Sequence, residues 1–147
     1  MAELFVTDAT SLISYFSNVF EKPSQISREA LNLIDRALLS DPAIRLSVPS
    51  IVFVEIFEKW FKSEEFAAKI RSEVFEPINN ASNIEIKPLE QEVLENLIEI
   101  KDDRINLENH DKIILASAMM LNCSLITSDS KIVKYVKKYR VIPRIIE

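Results

Sequence analysis

The chain has 147 residues and a net charge of −5, and its 48% hydrophobic and 28% charged residues are typical of a globular protein. It contains no glycine, which excludes P-loop and GxGxxG nucleotide sites, and its single cysteine and single histidine exclude an internal disulfide and a Cys/His zinc site. No apolar run approaches the roughly 20 residues of a membrane span. We therefore expect one cytoplasmic domain over residues 1–147, with no membrane segment.

Strand and helix patterns alternate along the chain. In chain order we predict a strand at 4–6, helices at 12–20 and 24–40, a strand at 44–48, helices at 50–62 and 64–76, a strand at 84–86, helices at 89–100 and 107–121, a strand at 124–127, a helix at 130–138 and a strand at 141–146. Strands that alternate with helices predict an α/β fold, a three-layer α/β/α sandwich with a mostly parallel central sheet.

Three of these predictions depend on particular residues. The segment 50–62 begins with β-branched and aromatic residues that favour a strand, but its length and the preceding Pro49 favour a helix. Thr10 or Ser11 is expected to cap the first helix. Asn79-Asn80 is expected to form a turn in which asparagine replaces the missing glycine.

Four acidic residues lie within apolar elements. Asp8 and Asp129 follow predicted strands, at the sheet edge where ligands of parallel α/β folds bind, although either could simply cap the next helix. Asp111 lies on the apolar face of its helix, near an N-terminus that Asn109 is expected to cap. Glu55 is the only polar residue between positions 51 and 57.

The four acids have no basic residues spaced to pair each of them. Buried carboxylates without partners must be neutralised, paired or bound to a cation. Oxygen ligands without histidine or cysteine favour Mg²⁺ or Mn²⁺ over zinc. For Glu55, an internal salt bridge explains its position as well as a ligand role does.

The segments that carry these acids resemble, in order, the four motifs of the PIN domain, a nuclease family. They are Phe5–Ile13, Val54–Ile56, Asp111–Ala118 and Leu125–Asp129. The resemblance implies metal ligands at Asp8, Glu55, Asp111 and Asp129, with the hydroxyl groups of Thr10 and Thr127 supporting the site and contacting substrate. Because the interval from Asp8 to Glu55 is long for compact members of the family, Glu58 is an alternative to Glu55.

The resemblance also implies Mg²⁺- or Mn²⁺-dependent cleavage of single-stranded or structured RNA, leaving a 5′-phosphate and a 3′-hydroxyl. Many small members of the family resemble VapC, a toxin that a separate antitoxin holds inactive, so an antitoxin partner is expected. A housekeeping RNA-processing nuclease and a non-catalytic module that binds RNA or protein are the alternatives. A haloacid-dehalogenase phosphatase is disfavoured, because its motif requires a second aspartate where this chain has Thr10.

Two surface features predict partners. Residues 131–147 contain six lysines or arginines and one glutamate, and Lys131, Lys134 and Lys138 share one helix face that is expected to guide RNA to the metal. Adjacent Trp60 and Phe61 cannot both be buried by one narrow helix face, which predicts a homodimer.

A lone histidine in the first turn of a helix, His110, is given no role.

Overall fold

The computed structural model describes residues 2–101 and 105–147, so residues 1 and 102–104 of the predicted domain lie outside the described part. Its central sheet has five parallel strands in the order β3-β2-β1-β4-β5. The strands are β1 (Glu3–Thr7), β2 (Ile44–Pro49), β3 (Ile84–Lys87), β4 (Ser124–Ile126) and β5 (Ile145–Ile146). All five strands were predicted, but β5 is shorter than the predicted 141–146.

Helices cover both faces of the sheet. They are α1 (Ala9–Tyr15), α2 (Ser17–Phe20), α3 (Arg28–Leu38), α4 (Ser50–Trp60), α5 (Glu64–Ile70), a π-helical turn (Arg71–Phe75), α6 (Glu76–Asn80), α7 (Gln91–Glu99), α8 (Asn109–Leu121) and α9 (Ser130–Tyr139). Phe5, Val6 and Thr7 are consecutive and all buried. Because neighbouring side chains of a strand point to opposite faces, both faces are covered, which confirms the predicted three-layer sandwich. No helix in the described ranges is long and apolar enough to cross a membrane.

The strand order reverses between β1 and β4. Thr7 pairs with Ile126 at the carboxyl ends of these strands, and the Asp8 amide donates to the Ile126 carbonyl at 3.2 Å. Such a reversal opens a crevice outside the strand ends. The residues that follow β1 and β4, Asp8 and Thr127, therefore lie side by side at this crevice.

The helix caps differ from the predicted ones. Asp8, not Thr10 or Ser11, caps α1, because its carboxylate accepts the Ser11 amide at 2.8 Å and the helix begins at residue 9. Likewise α8 is preceded by Glu108 as its N-cap residue, and Asn109 is already helical. Thr10, Ser11 and Asn109 lie inside their helices, because apolar periodicity does not mark where the first polar turn begins, whereas a cap at Asp8 was one of the two interpretations of that residue.

Asparagine does replace glycine, but not where the turn was predicted. Asn79 and Asn80 end α6, so the predicted turn there is wrong, and the chain instead turns at residues 82–83. Asn122 has φ of 48° at the end of α8, and Asn106 has φ of 55° just before that helix. Left-handed backbone of this kind favours glycine first and asparagine next. The predicted helix 12–20 is also divided, at Phe16, into α1 and α2.

Candidate active site

An acidic cleft lies at the carboxyl edge of the sheet, beside the ends of β1 and β4. Its volume is about 280 Å³, and it is lined by Thr10, Glu55, Lys59, Glu108, Asp111, Asp129, Ser130 and Lys131. Three of the four acids predicted from the sequence thus line one space. They come from α4, α8 and the start of α9, which are far apart in the chain.

Asp8, the fourth acid, is buried, with 3% of its surface exposed. Its Oδ1 accepts the Ser11 amide, and its Oδ2 accepts the Thr127 hydroxyl. Burial raises the pKa of Asp8, the hydrogen bonds from Thr127 and Ser11 lower it, and the charge of Glu55 raises it further. Asp8 is therefore fixed in orientation and lies within the electrostatic reach of the cleft acids.

Thr127 is completely buried and holds Asp8 in place. Its oxygen also accepts the Asp129 amide at 3.1 Å, so one hydroxyl links the two acids that follow β1 and β4. Such a buried residue orients the site but is closed to a substrate, unlike Thr10, which is exposed at the cleft. The position of Thr127 thus fits its predicted role in supporting the site, and its contact with substrate stays a prediction.

Asp129 both caps a helix and lines the cleft. Its Oδ1 accepts the backbone amides of Lys131 at 2.9 Å and Ile132 at 3.0 Å. Asp8 has the same double position, as the cap of α1 and the neighbour of the cleft. Capping and a site role had been treated as alternatives for these aspartates, whereas in the structure the cap is what fixes each carboxylate at the crevice.

Glu55 has basic neighbours, which corrects the expectation that none was spaced to pair it. Its Oε1 lies 3.3 Å from Lys59 Nζ, one helical turn away, and 3.9 Å from His110 Nδ1. The buried Glu55 lines the cleft, whereas the side chain of Glu58 is 61% exposed and contacts His110 Nε2 at 3.6 Å. The structure thus brings Glu55, not Glu58, to the other acids.

The pKa of Asp111 is raised by burial and by repulsion from the neighbouring acids. Burial first, and then the charges of Asp129, Glu55, Asp8 and Glu108 in that order, together raise its pKa to about 7. Glu108 had been missed by the sequence analysis. Its position three residues before Asp111 was the available signal, since residues with this spacing share a helix face.

The donor chemistry of the cleft fits a hard divalent cation. Asp8, Glu55, Asp111 and Asp129 offer only oxygen, and a cation would relieve the repulsion that raises the pKa of Asp111. Within residues 2–101 and 105–147, however, no three acidic, histidine or cysteine side chains are already arranged to coordinate an ion. Glu55 is instead paired with Lys59, so its coordination of an ion would require it to exchange partners.

The lysines predicted to guide RNA are placed differently from one another. Lys131 lines the cleft, directly after Asp129 and Ser130. Lys134 and Lys138 are exposed further along α9 and are not among the residues that line it. Lys59 and His110 are basic residues near the cleft to which the sequence analysis had given no role.

Comparisons with known proteins give a family and a fold. The PIN domain model matches residues 6–138. No curated protein matches the sequence significantly. The VapBC2 structure from Rickettsia felis, bound to a DNA fragment from its promoter, is similar with a TM-score of 0.65 and 15% identity, covering 96% of both chains.

Two further solved structures share this fold. VapBC-1 from nontypeable Haemophilus influenzae has a TM-score of 0.62 and 19% identity, and 96% of each chain is covered. A toxin-antitoxin complex from Klebsiella pneumoniae has a TM-score of 0.56 and 22% identity, covering 96% of this chain and 95% of that one. At these identities the likeness concerns the arrangement of helices and strands along nearly the whole chain.

The raised pKa of Asp111 predicts how stability depends on pH without metal. Because the folded protein holds the Asp111 proton up to a pKa of about 7, while the unfolded chain releases it near the ordinary aspartate pKa of 3.8, stability falls as pH rises between these values. Asp111→Asn should therefore stabilise the protein at pH 8 but not at pH 4. After screening by solvent we expect about 1 kcal/mol, or roughly 3 °C in Tm.

Thermal unfolding in EDTA at both pH values measures this difference. Glu73→Gln is the control, since Glu73 is exposed and does not line the cleft. It should leave Tm nearly unchanged at either pH. An Asp111→Asn protein that is no more stable than the wild type at pH 8 would show that the acids do not repel one another as described.

Proposed function

The chain belongs to the PIN domain family, and from this membership we propose that it is a Mg²⁺- or Mn²⁺-dependent endoribonuclease. The observation that carries the proposal is the convergence of Glu55, Asp111 and Asp129 on one cleft, with the buried Asp8 close enough to affect the pKa of Asp111. Members of this family are nucleases, and acids of this kind are suited to binding the metal of a phosphodiesterase.

The four carboxylates would hold the metal, whose chemistry when bound is to lower the pKa of water and to stabilise charge on the phosphoryl oxygens. The protein contributes fixed orientation. Ser11 and Thr127 hold both oxygens of Asp8, and two backbone amides hold Asp129. Because these donors are already in place, the carboxylates lose little conformational freedom when the site forms.

The ion pair of Glu55 and Lys59 also provides the cleft with a group that could bind phosphate. The Lys59 ammonium neutralises Glu55 while the site holds no other cation, and its neighbours Thr10 and Lys131 line the same space. Once Glu55 changes partner, Lys59 is available to a phosphate oxygen. Lysine acts on phosphate as a flexible point charge, so it can make this exchange without a rigid geometry.

Attraction of RNA requires positive charge, because the chain as a whole carries −5. We propose that RNA approaches along α9, where Lys131 lies in the cleft and Lys134 and Lys138 are exposed beyond it. Lysine contacts to phosphate release counterions and add affinity without sequence preference. The selection of a particular RNA would then depend on other residues.

The solved relatives support a toxin role with an antitoxin partner. One is described as a toxin-antitoxin complex, and two others are VapBC structures. We propose that this chain is the toxin component of such a pair, acting in the cytoplasm. A short reading frame upstream of its gene that encodes a DNA-binding antitoxin is expected, and a solitary gene would favour a housekeeping RNA-processing nuclease.

The outer face of α4 supports self-association. Val54, Phe57 and Phe61 are exposed, with 58% of Phe61 accessible, while Trp60 packs edge-on against Phe20 at 5.6 Å between ring centroids. Of the two adjacent aromatic residues, Trp60 is thus half-buried and Phe61 faces outwards. We propose that the exposed face pairs with a second copy in a two-fold dimer.

Asparagine substitutions test the nuclease proposal. Asp8→Asn and Asp111→Asn should each lower metal-stimulated RNA cleavage by at least about 100-fold, because a metal ligand is lost while a similar shape remains. The measurement is the rate of cleavage of a broad panel of RNA molecules with Mg²⁺ or Mn²⁺. Glu58→Gln is the matched control and should keep its activity, since Glu58 does not line the cleft.

Circular dichroism of each variant would separate loss of activity from loss of fold. A wild-type protein that binds RNA but cleaves none of the panel would favour the non-catalytic binding module. Full activity of the Asp8→Asn or Asp111→Asn protein would show that the substituted acid is not needed for the reaction.

Charge substitutions test the dimer. Phe61→Glu and Phe57→Glu should convert a dimer into a monomer, because each would place a carboxylate in an apolar contact. Light scattering at tens of micromolar gives the mass directly, and Leu39→Glu, on another exposed apolar residue, is the control. A monomeric wild type would leave the outer face of α4 without a partner of this kind.

A further inference from the structure

A second cavity adjoins the acidic cleft, and we call it the flanking cavity. Its volume is about 210 Å³, and three of its lining residues, Thr10, Glu55 and Lys59, also line the cleft. Lys22 and Trp60 are further members of its wall. Because the two spaces share these lining residues, a polymer bound in the cleft can extend into the flanking cavity.

Two lysines lie beside the Trp60 ring of the flanking cavity, and one of them, Lys22, also lines the cavity. Lys22 Nζ lies 5.1 Å from the centroid of the Trp60 ring, and Lys62 Nζ lies 5.8 Å from the same centroid. Neither lysine forms an ion pair with any acid in the described parts of the chain. The carboxylate in the cavity lining, Glu55, is paired with Lys59, so the charge of Lys22 and of the neighbouring Lys62 favours an anionic ligand.

The remaining wall of the cavity suits a base or a sugar. The Trp60 ring is half-buried and fixed by the edge-on contact with Phe20, so it offers a rigid apolar surface. Gln25 adds a side-chain amide, which can both donate and accept hydrogen bonds. The volume is below the roughly 300 Å³ at which sites for drug-sized ligands begin, so it suits one base and not a base pair.

We propose that the flanking cavity binds one unpaired nucleotide of RNA next to the phosphate held in the acidic cleft. Lys22 and Lys62 contact its phosphate, and Trp60 and Gln25 contact its base. The inference rests on the proposed nuclease function and assigns a place beside the acidic cleft to one unpaired nucleotide of its RNA. A base that is paired and stacked within a duplex cannot enter a cavity of this size, whereas an unpaired base can be turned into it.

Fluorescence offers a direct test, because Trp60 is the only tryptophan in the chain. A ten-nucleotide single-stranded RNA is titrated into the full-length protein in EDTA, so that binding is measured without cleavage. Fluorescence anisotropy of a labelled RNA reports binding anywhere on the protein, and Trp60 emission reports occupation of the flanking cavity. We expect both signals to change with the same midpoint, and a duplex of the same sequence to leave Trp60 emission unchanged.

Charge-removing variants locate the contact. Lys22→Gln with Lys62→Gln should weaken single-strand binding by about tenfold and reduce its salt slope by about 1.4, since each lost phosphate contact accounts for roughly 0.7. The control is Lys69→Gln with Arg45→Gln, which removes two exposed basic residues that neither line the two spaces nor lie against Trp60. It should retain nearly full affinity and slope.

Three results would overturn the inference. RNA that binds by anisotropy without changing Trp60 emission, and equally well to both double variants, would place the RNA path elsewhere and leave the nuclease proposal intact. Equal effects of single-stranded and duplex RNA on Trp60 would refute the unpaired nucleotide. A change in Trp60 emission with a polyglutamate peptide, but none with RNA, would assign the cavity to a protein partner.

The same experiment separates this inference from the function on which it rests. If no RNA binds to the wild type at any salt concentration, both the cavity assignment and the ribonuclease proposal fail. If RNA binds through the flanking cavity but is not cleaved when Mg²⁺ or Mn²⁺ is added, the inference stands and only the catalytic proposal fails.

Discussion

Repulsion among carboxylates is the constraint on which the rest of this structure depends. Asp111 has a pKa raised to about 7, because burial and the charges of four neighbouring acids oppose its ionisation. Holding such groups together destabilises a fold unless something fixes and neutralises them. The sheet edge supplies the fixing groups. Ser11, Thr127 and the first amides of α9 each donate to an aspartate that follows a central strand.

The parallel topology explains why these donors are available. At the reversal between β1 and β4, two strands end side by side and two helices begin, so unpaired amides of both helix N-termini face the crevice. Aspartate caps satisfy these amides and bring their carboxylates to the same place. Glu55 reaches the cleft from α4 and is neutralised by Lys59. Removing the amide donors of the aspartates, or the Lys59 ammonium, would leave a buried carboxylate without its partner.

Much of this arrangement could be predicted from the sequence, because burial and order along the chain are local signals. Asp8 and Asp129 were placed by the apolar strands before them, and Asp111 by the apolar face of α8. The contacts that distinguish Glu55 from Glu58 depend on how α4 packs against α1 and α8, which periodicity within α4 does not reveal. The burial of Thr127 behind Asp8 follows only from the pairing of β1 with β4, so the sequence alone does not reveal it.

Binding of a divalent cation tests the central claim most directly, namely that the acidic cleft is built to be neutralised by a metal. Thermal unfolding at pH 8 should show the Tm of the wild type rising as Mn²⁺ is added, because the ion binds the folded acids and not the unfolded chain. The Tm of Asp111→Asn, already higher without metal, should respond much less. A wild-type Tm that is unchanged at millimolar Mn²⁺, or an equal rise in both proteins, would contradict the account.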